Sequence, residues 1–181
     1  MQREVKYLGH IISKAGIRTD PDKIESIHKW NLPNCKKELQ EFLGLCNYYR
    51  TFKKDFATIA EPLYAMLRKG CDLGWTDEKI AGFTRLKTAL MSPPVLKLPC
   101  PDGKYILDTD ASHNSIGAVL SQIKEGKEHV IAYASKNLTK SQRLYCITRK
   151  ELLAIYVFVL KFKHYLLGIE FEVRTDHQEL K

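Results

Sequence analysis

The spacing of apolar residues changes abruptly in the middle of this 181-residue chain, at a run of prolines. Before Ser92-Pro93-Pro94, apolar residues recur every three or four positions, which is typical of amphipathic helices. After Gly103 they alternate in short runs bounded by turn residues, which is typical of strands. A chain of this length can hold two small domains. The pattern therefore predicts a helical region up to residue 95 and an α/β region over residues 96–181.

The first region predicts short strands followed by four helices. Residues 4–19 alternate around Gly9 and Ala15-Gly16, which predicts a hairpin of two strands. Asp20 and Pro21 are typical of a helix N-cap and first helical residue. The inward side chains of this helix would be Ile24, Ile27 and His28. Helical spacing predicts three more helices: one after Asn34 burying Leu39, Phe42, Leu43 and Cys46, one over residues 57–68, and one starting at Asp77 and burying Ile80, Phe83, Leu86 and Leu90.

The second region predicts a sheet with one long helix. Three strands are expected at 105–109, 116–122 and 130–135, and the short links between them indicate an antiparallel meander. A helix capped by Thr148 should run to about His164, and a fourth strand should follow at 171–175. The predicted fold class is α/β.

Three acids stand where these elements begin or end. Asp110 closes the first strand, Glu151 lies in the first turn of the long helix, and Asp176 follows the fourth strand. If the first and fourth strands are neighbours at the centre of the sheet, the three carboxylates meet. Clustered carboxylates repel one another unless a cation neutralises them. Oxygen ligands without Cys or His favour Mg²⁺ or Mn²⁺, and two such ions about 3.5–4 Å apart can hydrolyse a phosphodiester.

Each acid also has a structural interpretation. Glu151 fits a capping box with Thr148, in which its side chain would bond the backbone at the helix start. Asp176 could cap the turn after its strand. Asp108 shares a strand face with Asp110, so it is either the rival first ligand or a supporting residue. Spacing alone leaves these alternatives open.

Composition narrows the classes of partner and compartment. Lys and Arg number 29 against 21 Asp and Glu, which favours either polyanionic partners or a solvated basic surface. The five cysteines show no zinc-ligand spacing, which predicts reduced and mostly buried thiols inside a cell. No apolar run approaches the ~20 residues of a membrane span, so no membrane association is expected.

Seven short motifs follow one another along the chain. The first half contains YLGHII at 7–12, FLGLCNYYR at 42–50 and AEPL at 60–63. The second half contains LDTDAS at 107–112, IGAVLSQ at 116–122, KELLA at 150–154 and TDH at 175–177. In this order they resemble the Pol polyprotein of gypsy-type LTR retrotransposons, from the reverse-transcriptase thumb into the RNase H domain.

The resemblance implies a domain plan and a chemistry. Residues 1–20 would end the polymerase palm with a primer-grip-like hairpin, 21–95 would form the helical thumb and connecting segment, and 96–181 an RNase H-like mixed sheet with a packed helix, incomplete at its C-terminus. Two Mg²⁺ or Mn²⁺ ions are implied, and the reaction is hydrolysis of the RNA strand of an RNA–DNA hybrid. The resemblance implies Asp110, Glu151 and Asp176 as catalytic and metal-binding acids, and it favours Asp110 over Asp108 as the first ligand. Asp108, Ser112 and His177 are the candidates for supporting or substrate-contacting groups.

The same resemblance implies partners and a location. The resemblance implies nucleic-acid contacts at Leu8, Gly9 and His10. Arg50, Lys53 and Lys54 are interleaved with aromatic residues, a combination that could hold phosphates and stack bases, although helix packing would explain most of the aromatics. The partners would be an RNA–DNA hybrid, a template-primer duplex and the remainder of the Pol polyprotein. The location would be intracellular, in a cytoplasmic retroelement particle or the nucleus.

Two departures from the family pattern concern activity. The paired-aspartate motif of the polymerase site is absent from these 181 residues, and so is the fourth acid of the RNase H site. We therefore expect the isolated fragment to be weakly active or inactive. The alternatives are a catalytically inactive RNase H-like connection or binding module, and a domesticated retroelement-derived protein.

Overall fold

The chain folds into two compact units, Met1–Val95 and Leu96–Lys181, in a computed structural model that describes residues 3–91 and 94–180. Each unit has its own sheet and its own apolar core. Ser92 and Pro93, which belong to the predicted break between the two regions, lie outside the described residues.

The first unit opens with a small antiparallel sheet. Its strands are β1 (Glu4–Tyr7), β2 (His10–Ser13) and β3 (Gly16–Thr19), in the order β1-β2-β3. The prediction of a two-stranded hairpin is therefore wrong, because this region contains three strands. Both turn signals reverse the chain, one between β1 and β2 and the other between β2 and β3, and two reversals make three strands.

Four α-helices follow the small sheet. They are α1 (Pro21–Lys29), α2 (Lys36–Tyr48), α3 (Phe56–Met66) and α4 (Asp77–Met91), with a 3₁₀ turn at Arg50–Phe52. The predicted start of α1 is confirmed, because the Asp20 carboxylate accepts a hydrogen bond from the Asp22 N–H at 3.1 Å. Asp20 also forms an ion pair with Lys6 at 2.8 Å, which connects β1 to the start of α1.

The core of the first unit follows the predicted helical stripes with two exceptions. Leu39, Phe42, Leu43 and Cys46 are all buried, as are Phe83, Leu86 and Leu90. Ile80 is 39% exposed, and His28 is exposed. The buried stripe of α4 is rotated away from Ile80 toward Gly82, which packs on the Pro62 ring. In α1, Ile27 is the residue buried in the core, and His28, the next residue, is exposed to solvent.

The second unit is a four-stranded mixed sheet covered by helices. Its elements are β4 (Lys104–Ala111), β5 (Ser115–Lys124), β6 (Lys127–Asn137), α5 (Lys140–Arg143), α6 (Ile147–Lys161), α7 (Lys163–Leu166) and β7 (Phe171–Thr175). The strand order is β6-β5-β4-β7, with β7 parallel to β4 and the other pairs antiparallel. The predicted α/β class with a mixed sheet and a packed helix is confirmed. Among the described strands, β7 lies at the edge of the sheet rather than at its centre.

The core of this unit lies between α6 and one face of the sheet. Ala154 and Phe158 of α6 and Leu107 and Leu120 of the sheet are each at most 1% exposed. Because residues 154 and 158 are one helical turn apart, they form a single stripe on the inner side of α6. This packing fixes the position of the helix start relative to the strands.

The beginning of α6 differs from the prediction. Cys146 is the N-cap and its carbonyl accepts from the Lys150 N–H at 3.1 Å, so Thr148 lies inside the first turn. The predicted cap by Thr148 is therefore wrong. The single long helix is also interrupted at Phe162, after which α7 ends at Leu166.

The five cysteines are all unpaired, but the prediction that most are buried is wrong. Only Cys46 is fully buried, whereas Cys35, Cys71 and Cys146 are exposed. Cys35 and Cys146 are N-cap residues, and such residues stand just outside their helices. None of the helices within residues 3–91 and 94–180 has the length and apolar character needed to cross a membrane.

Two aromatic residues of α6 provide a matched test of the core. Phe158 is 1% exposed and Tyr156 is 63% exposed. Phe158→Ala should lower the free energy of unfolding by about 3–5 kcal/mol, because it leaves a cavity under the sheet. Tyr156→Ala should change it by about 0.5 kcal/mol or less. Urea unfolding followed by far-UV circular dichroism measures both, and equal losses would contradict this assignment of the inner face.

Candidate metal centre

The parallel pairing of β4 and β7 places two of the acids at one edge of the sheet. The last paired residues are Thr109 and Thr175. Asp110 and Asp176 each follow directly after that pair, and both are exposed. Two parallel strands end at the same edge, so the residues that follow them are neighbours.

Glu151 reaches the same edge from α6. It is only 2% exposed, and its Oε1 accepts a hydrogen bond from the Ala111 N–H of β4 at 3.0 Å. The capping box with Thr148 is therefore wrong, because this carboxylate bonds to a strand and not to the start of its own helix.

The three acids offer oxygen atoms that all lie within 4.8 Å of one another. Burial raises the pKa of Glu151, and the nearby charges of Asp176 and Asp110 raise it further. The Ala111 N–H and His177 act in the opposite direction on the pKa. Glu151 Oε2 is buried and has no hydrogen-bond partner within residues 3–91 and 94–180.

This group of acids fits a hard divalent cation. All the donors are carboxylate oxygens, which Mg²⁺ and Mn²⁺ prefer. A buried carboxylate oxygen without a partner is unfavourable, and a cation would satisfy it and neutralise the repulsion. Asp110, Glu151 and Asp176 are the residues that would hold the ion.

The other residues singled out in this unit lie around the acids. Asp108 is half-buried and is not a member of the acid group. Ser112 is engaged in the β4–β5 turn, where its hydroxyl accepts from the Ser115 N–H at 3.0 Å. The ring of His177 is hydrogen-bonded to the Thr148 hydroxyl at 2.8 Å. No local sequence pattern predicts this last contact, since it joins residues 29 positions apart.

In the first unit, the β1–β2 turn is held by two tyrosines of the α2 end. The Tyr48 and Tyr49 hydroxyls donate to the carbonyls of Leu8 and Gly9. Gly9 has φ +73°, and a Cβ there would lie 2.9 Å from the Tyr49 hydroxyl, so a glycine fits this turn best. His10 stacks on Tyr48, with 5.2 Å between the ring centroids.

The basic residues of this unit follow the same tyrosines. Arg50 donates to the Asn47 side chain at 3.2 Å and lies 5.9 Å from the centre of the Phe56 ring. Lys54 is exposed, and Lys53 lines a shallow groove with Arg85. These side chains and the Leu8–Gly9 turn thus belong to the first unit, whereas the acids belong to the second.

A family model described as the RNase H-like domain found in reverse transcriptase matches residues 75–173. The chain belongs to this family. The match includes Asp110 and Glu151. The resemblance to gypsy-type Pol polyproteins seen in the sequence motifs is confirmed.

Curated relatives of this RNase H-like chain are Pol polyproteins of transposons. It is 38% identical over 182 residues to the retrovirus-related Pol polyprotein from transposon 297 of Drosophila melanogaster. It is 36% identical over 182 residues to the transposon Tf2-3 polyprotein of Schizosaccharomyces pombe. These alignments include 100% and 99% of the chain. The chain spans only 17% and 14% of the length of these two relatives.

Solved structures of foamy viral protease-reverse transcriptase resemble this RNase H-like chain over 99% of its length. The dRH form in complex with double-stranded DNA has a TM-score of 0.87 at 26% identity, with 32% of that chain covered. The form in complex with an RNA/DNA hybrid has a TM-score of 0.85 at 26% identity, with 25% of that chain covered. The mixed α/β fold is therefore shared with these structures.

The raised pKa of Glu151 predicts a stability effect without metal. The Glu151 carboxyl group holds its proton more tightly in the folded chain than in the unfolded chain, where its pKa is near the ordinary 4.5. Stability from this group is therefore greatest at low pH and falls as the pH rises from 4.5 through the folded pKa. Glu151→Gln keeps an acceptor for Ala111 and removes the charge. At neutral pH without divalent cations it should increase the free energy of unfolding by roughly 0.5–2 kcal/mol.

Urea unfolding at several pH values, in the presence of a chelator, measures this effect. The exposed Glu170 is the matched control, and Glu170→Gln should change stability by about 0.5 kcal/mol or less. A destabilising Glu151→Gln under these conditions would contradict the electrostatic account.

Proposed function

We propose that this chain is the RNase H region of a retrotransposon Pol polyprotein and that it hydrolyses the RNA strand of an RNA–DNA hybrid. The observation that carries the proposal is the group of Asp110, Glu151 and Asp176, whose oxygens lie within 4.8 Å. Glu151 contributes a buried oxygen with no hydrogen-bond partner in the described part of the chain, and a divalent cation would satisfy such an atom.

Each acid has a distinct part in this proposal. When bound, Mg²⁺ or Mn²⁺ would activate water and stabilise the leaving oxygen. Glu151 is fixed by the Ala111 N–H, so its Oε2 is oriented before a ligand arrives. Asp110 and Asp176 are exposed, so they remain reachable from solvent by a phosphodiester. Asp108, Ser112 and His177 would support the ligands or touch the substrate.

The substrate assignment rests on family likeness and charge. Related solved structures contain double-stranded DNA in one case and an RNA/DNA hybrid in another. The net charge of +8 favours polyanionic ligands of this kind. The 2′-hydroxyl is the group by which a site tells RNA from DNA, so cleavage would be confined to the RNA strand.

In this proposal the first unit, residues 1–95, would also bind the nucleic-acid duplex. We assign residues 1–20 to the end of the polymerase palm, 21–95 to the thumb and connecting segment, and 96–181 to the RNase H domain. The Leu8–Gly9 turn with His10, and Arg50, Lys53 and Lys54, would contact the template-primer duplex. The remaining partner would be the rest of the Pol polyprotein, within a cytoplasmic particle or the nucleus.

A binding module without chemistry is the competing function. The acids argue against it, because a carboxylate cluster repels both itself and a phosphate backbone unless cations are present. A module that only binds nucleic acid would gain nothing from such a group. A metal-dependent nuclease requires one.

Cleavage of a labelled RNA–DNA hybrid tests the proposal directly. In Mg²⁺ or Mn²⁺, a longer Pol segment containing this chain should cut the RNA strand faster than the isolated chain, and a chelator should stop the reaction. Asp110→Asn should reduce the rate by at least about 100-fold, because it removes a ligand charge. Asp102→Asn, at an exposed turn before β4, is the matched control and should leave the rate unchanged. Hybrid binding without any cleavage by this chain or a longer Pol segment containing it would favour the binding module.

Salt dependence tests the proposed contacts of the first unit. Hybrid affinity should fall as salt rises, with a slope of about −0.9 per phosphate contact on logarithmic axes. Lys53→Gln and Lys54→Gln should each reduce that slope by about 1. Lys14→Gln, in the β2–β3 turn at the opposite end of the small sheet, is the control. Fluorescence anisotropy at several salt concentrations measures the slopes, and an affinity independent of salt would contradict these contacts.

A further inference from the structure

The first turn of α6 is hydrogen-bonded to a residue next to each of the two exposed acids. Glu151 accepts from the Ala111 N–H, next to Asp110 on β4. Thr148, three residues earlier on the same side of the helix, is hydrogen-bonded to the ring of His177, next to Asp176 after β7. The two contacts thus join α6 to the residues beside both exposed acids.

Thr148 is available for this contact because it does not cap the helix. Cys146 is the N-cap and makes no side-chain cap bond, so Thr148 occupies the second position of the first turn. A threonine inside a helix has few side-chain rotamers, which limits the directions its hydroxyl can take. Its Oγ1 lies 2.8 Å from His177 Nε2.

His177 is held at both its backbone and its ring. Its N–H donates to Thr175 Oγ1 at 3.2 Å, and its ring contacts Thr148. Asp176 lies between Thr175 and His177, directly after the last residue of β7 that pairs with β4. The position of Asp176 therefore depends on this local arrangement, because no strand pairing reaches it.

Electrostatic repulsion makes such support necessary. Before a cation binds, the charges of Asp110, Glu151 and Asp176 repel one another. Asp110 belongs to an interior strand and Glu151 to a packed helix, so neither moves easily. Asp176 follows the strand at the edge of the described sheet, and is the acid that repulsion can displace most readily.

We propose that the Thr148–His177 hydrogen bond is a positioning contact that keeps Asp176 within metal-binding distance of Glu151. This inference rests on the proposed metal-dependent function. Thr148 and His177 are positioning residues here, acting through Asp176. Loss of a hydrogen bond that orients a metal ligand typically weakens metal binding about 10- to 100-fold.

Mn²⁺ binding to the 181-residue chain, measured by isothermal titration calorimetry, tests the proposal without relying on catalysis. Thr148→Val keeps the shape of the side chain and removes the hydroxyl, so the Kd should rise about 10-fold or more. Thr148→Ser restores the hydroxyl and should return the Kd to within about twofold of the original. His177→Ala should weaken Mn²⁺ binding as Thr148→Val does. The double variant should bind Mn²⁺ no more weakly than either single variant, since both substitutions remove the same hydrogen bond.

The outcomes separate this inference from the proposed function. If the original chain binds Mn²⁺ and Asp110→Asn abolishes binding, the metal site stands. If Thr148→Val then binds like the original chain, the positioning role is overturned while the function survives. If the original chain binds no Mn²⁺ through these acids, the proposed function itself fails. Urea unfolding of each variant accompanies the titration, and Thr148→Ser and Thr148→Val with equal stability but equally weakened binding would also overturn the inference.

Discussion

The parallel pairing of β4 with β7 is the contact on which the candidate site depends. Parallel neighbours need a crossover, and α6 lies within the chain that connects them. Because Ala154 and Phe158 anchor α6 on the sheet, its first turn lies at the edge where both strands end. One topological arrangement therefore places acids from three separate elements within 4.8 Å.

The arrangement of the three acids opposes stability when all three are charged. Glu151 is almost fully buried, and its Oε2 has no hydrogen-bond partner among the described residues. Burial and two neighbouring acids raise its pKa, so the ionised site is strained before a cation arrives. If the proposed metal ion binds here, its stabilisation of the chain and the destabilisation without it would both follow from this electrostatic arrangement.

The sequence predicted what depends on local pattern. Alternating apolar residues predicted β4 to β7, and the cap at Asp20 predicted the start of α1. The meeting of Asp110 with Asp176 could be predicted only conditionally, because strand neighbours are set by tertiary structure. The sequence pattern predicted two strands where the small sheet has three, because the chain reverses at both turns and not at one. The Glu151–Ala111 and Thr148–His177 contacts span 40 and 29 positions, and no local pattern predicts them.

The failed capping box is informative about the site. Thr148 and Glu151 have the spacing of that motif, and forming it would stabilise the helix start by roughly 0.5–2 kcal/mol. In the structure, Cys146 takes the cap position without a side-chain bond, and both members of the motif bond elsewhere. Glu151 bonds to β4, and Thr148 bonds to the residue after Asp176. Local rules tend to fail where other contacts are required, and here the side chains that could have capped a helix instead connect it to the residues next to the two remaining acids.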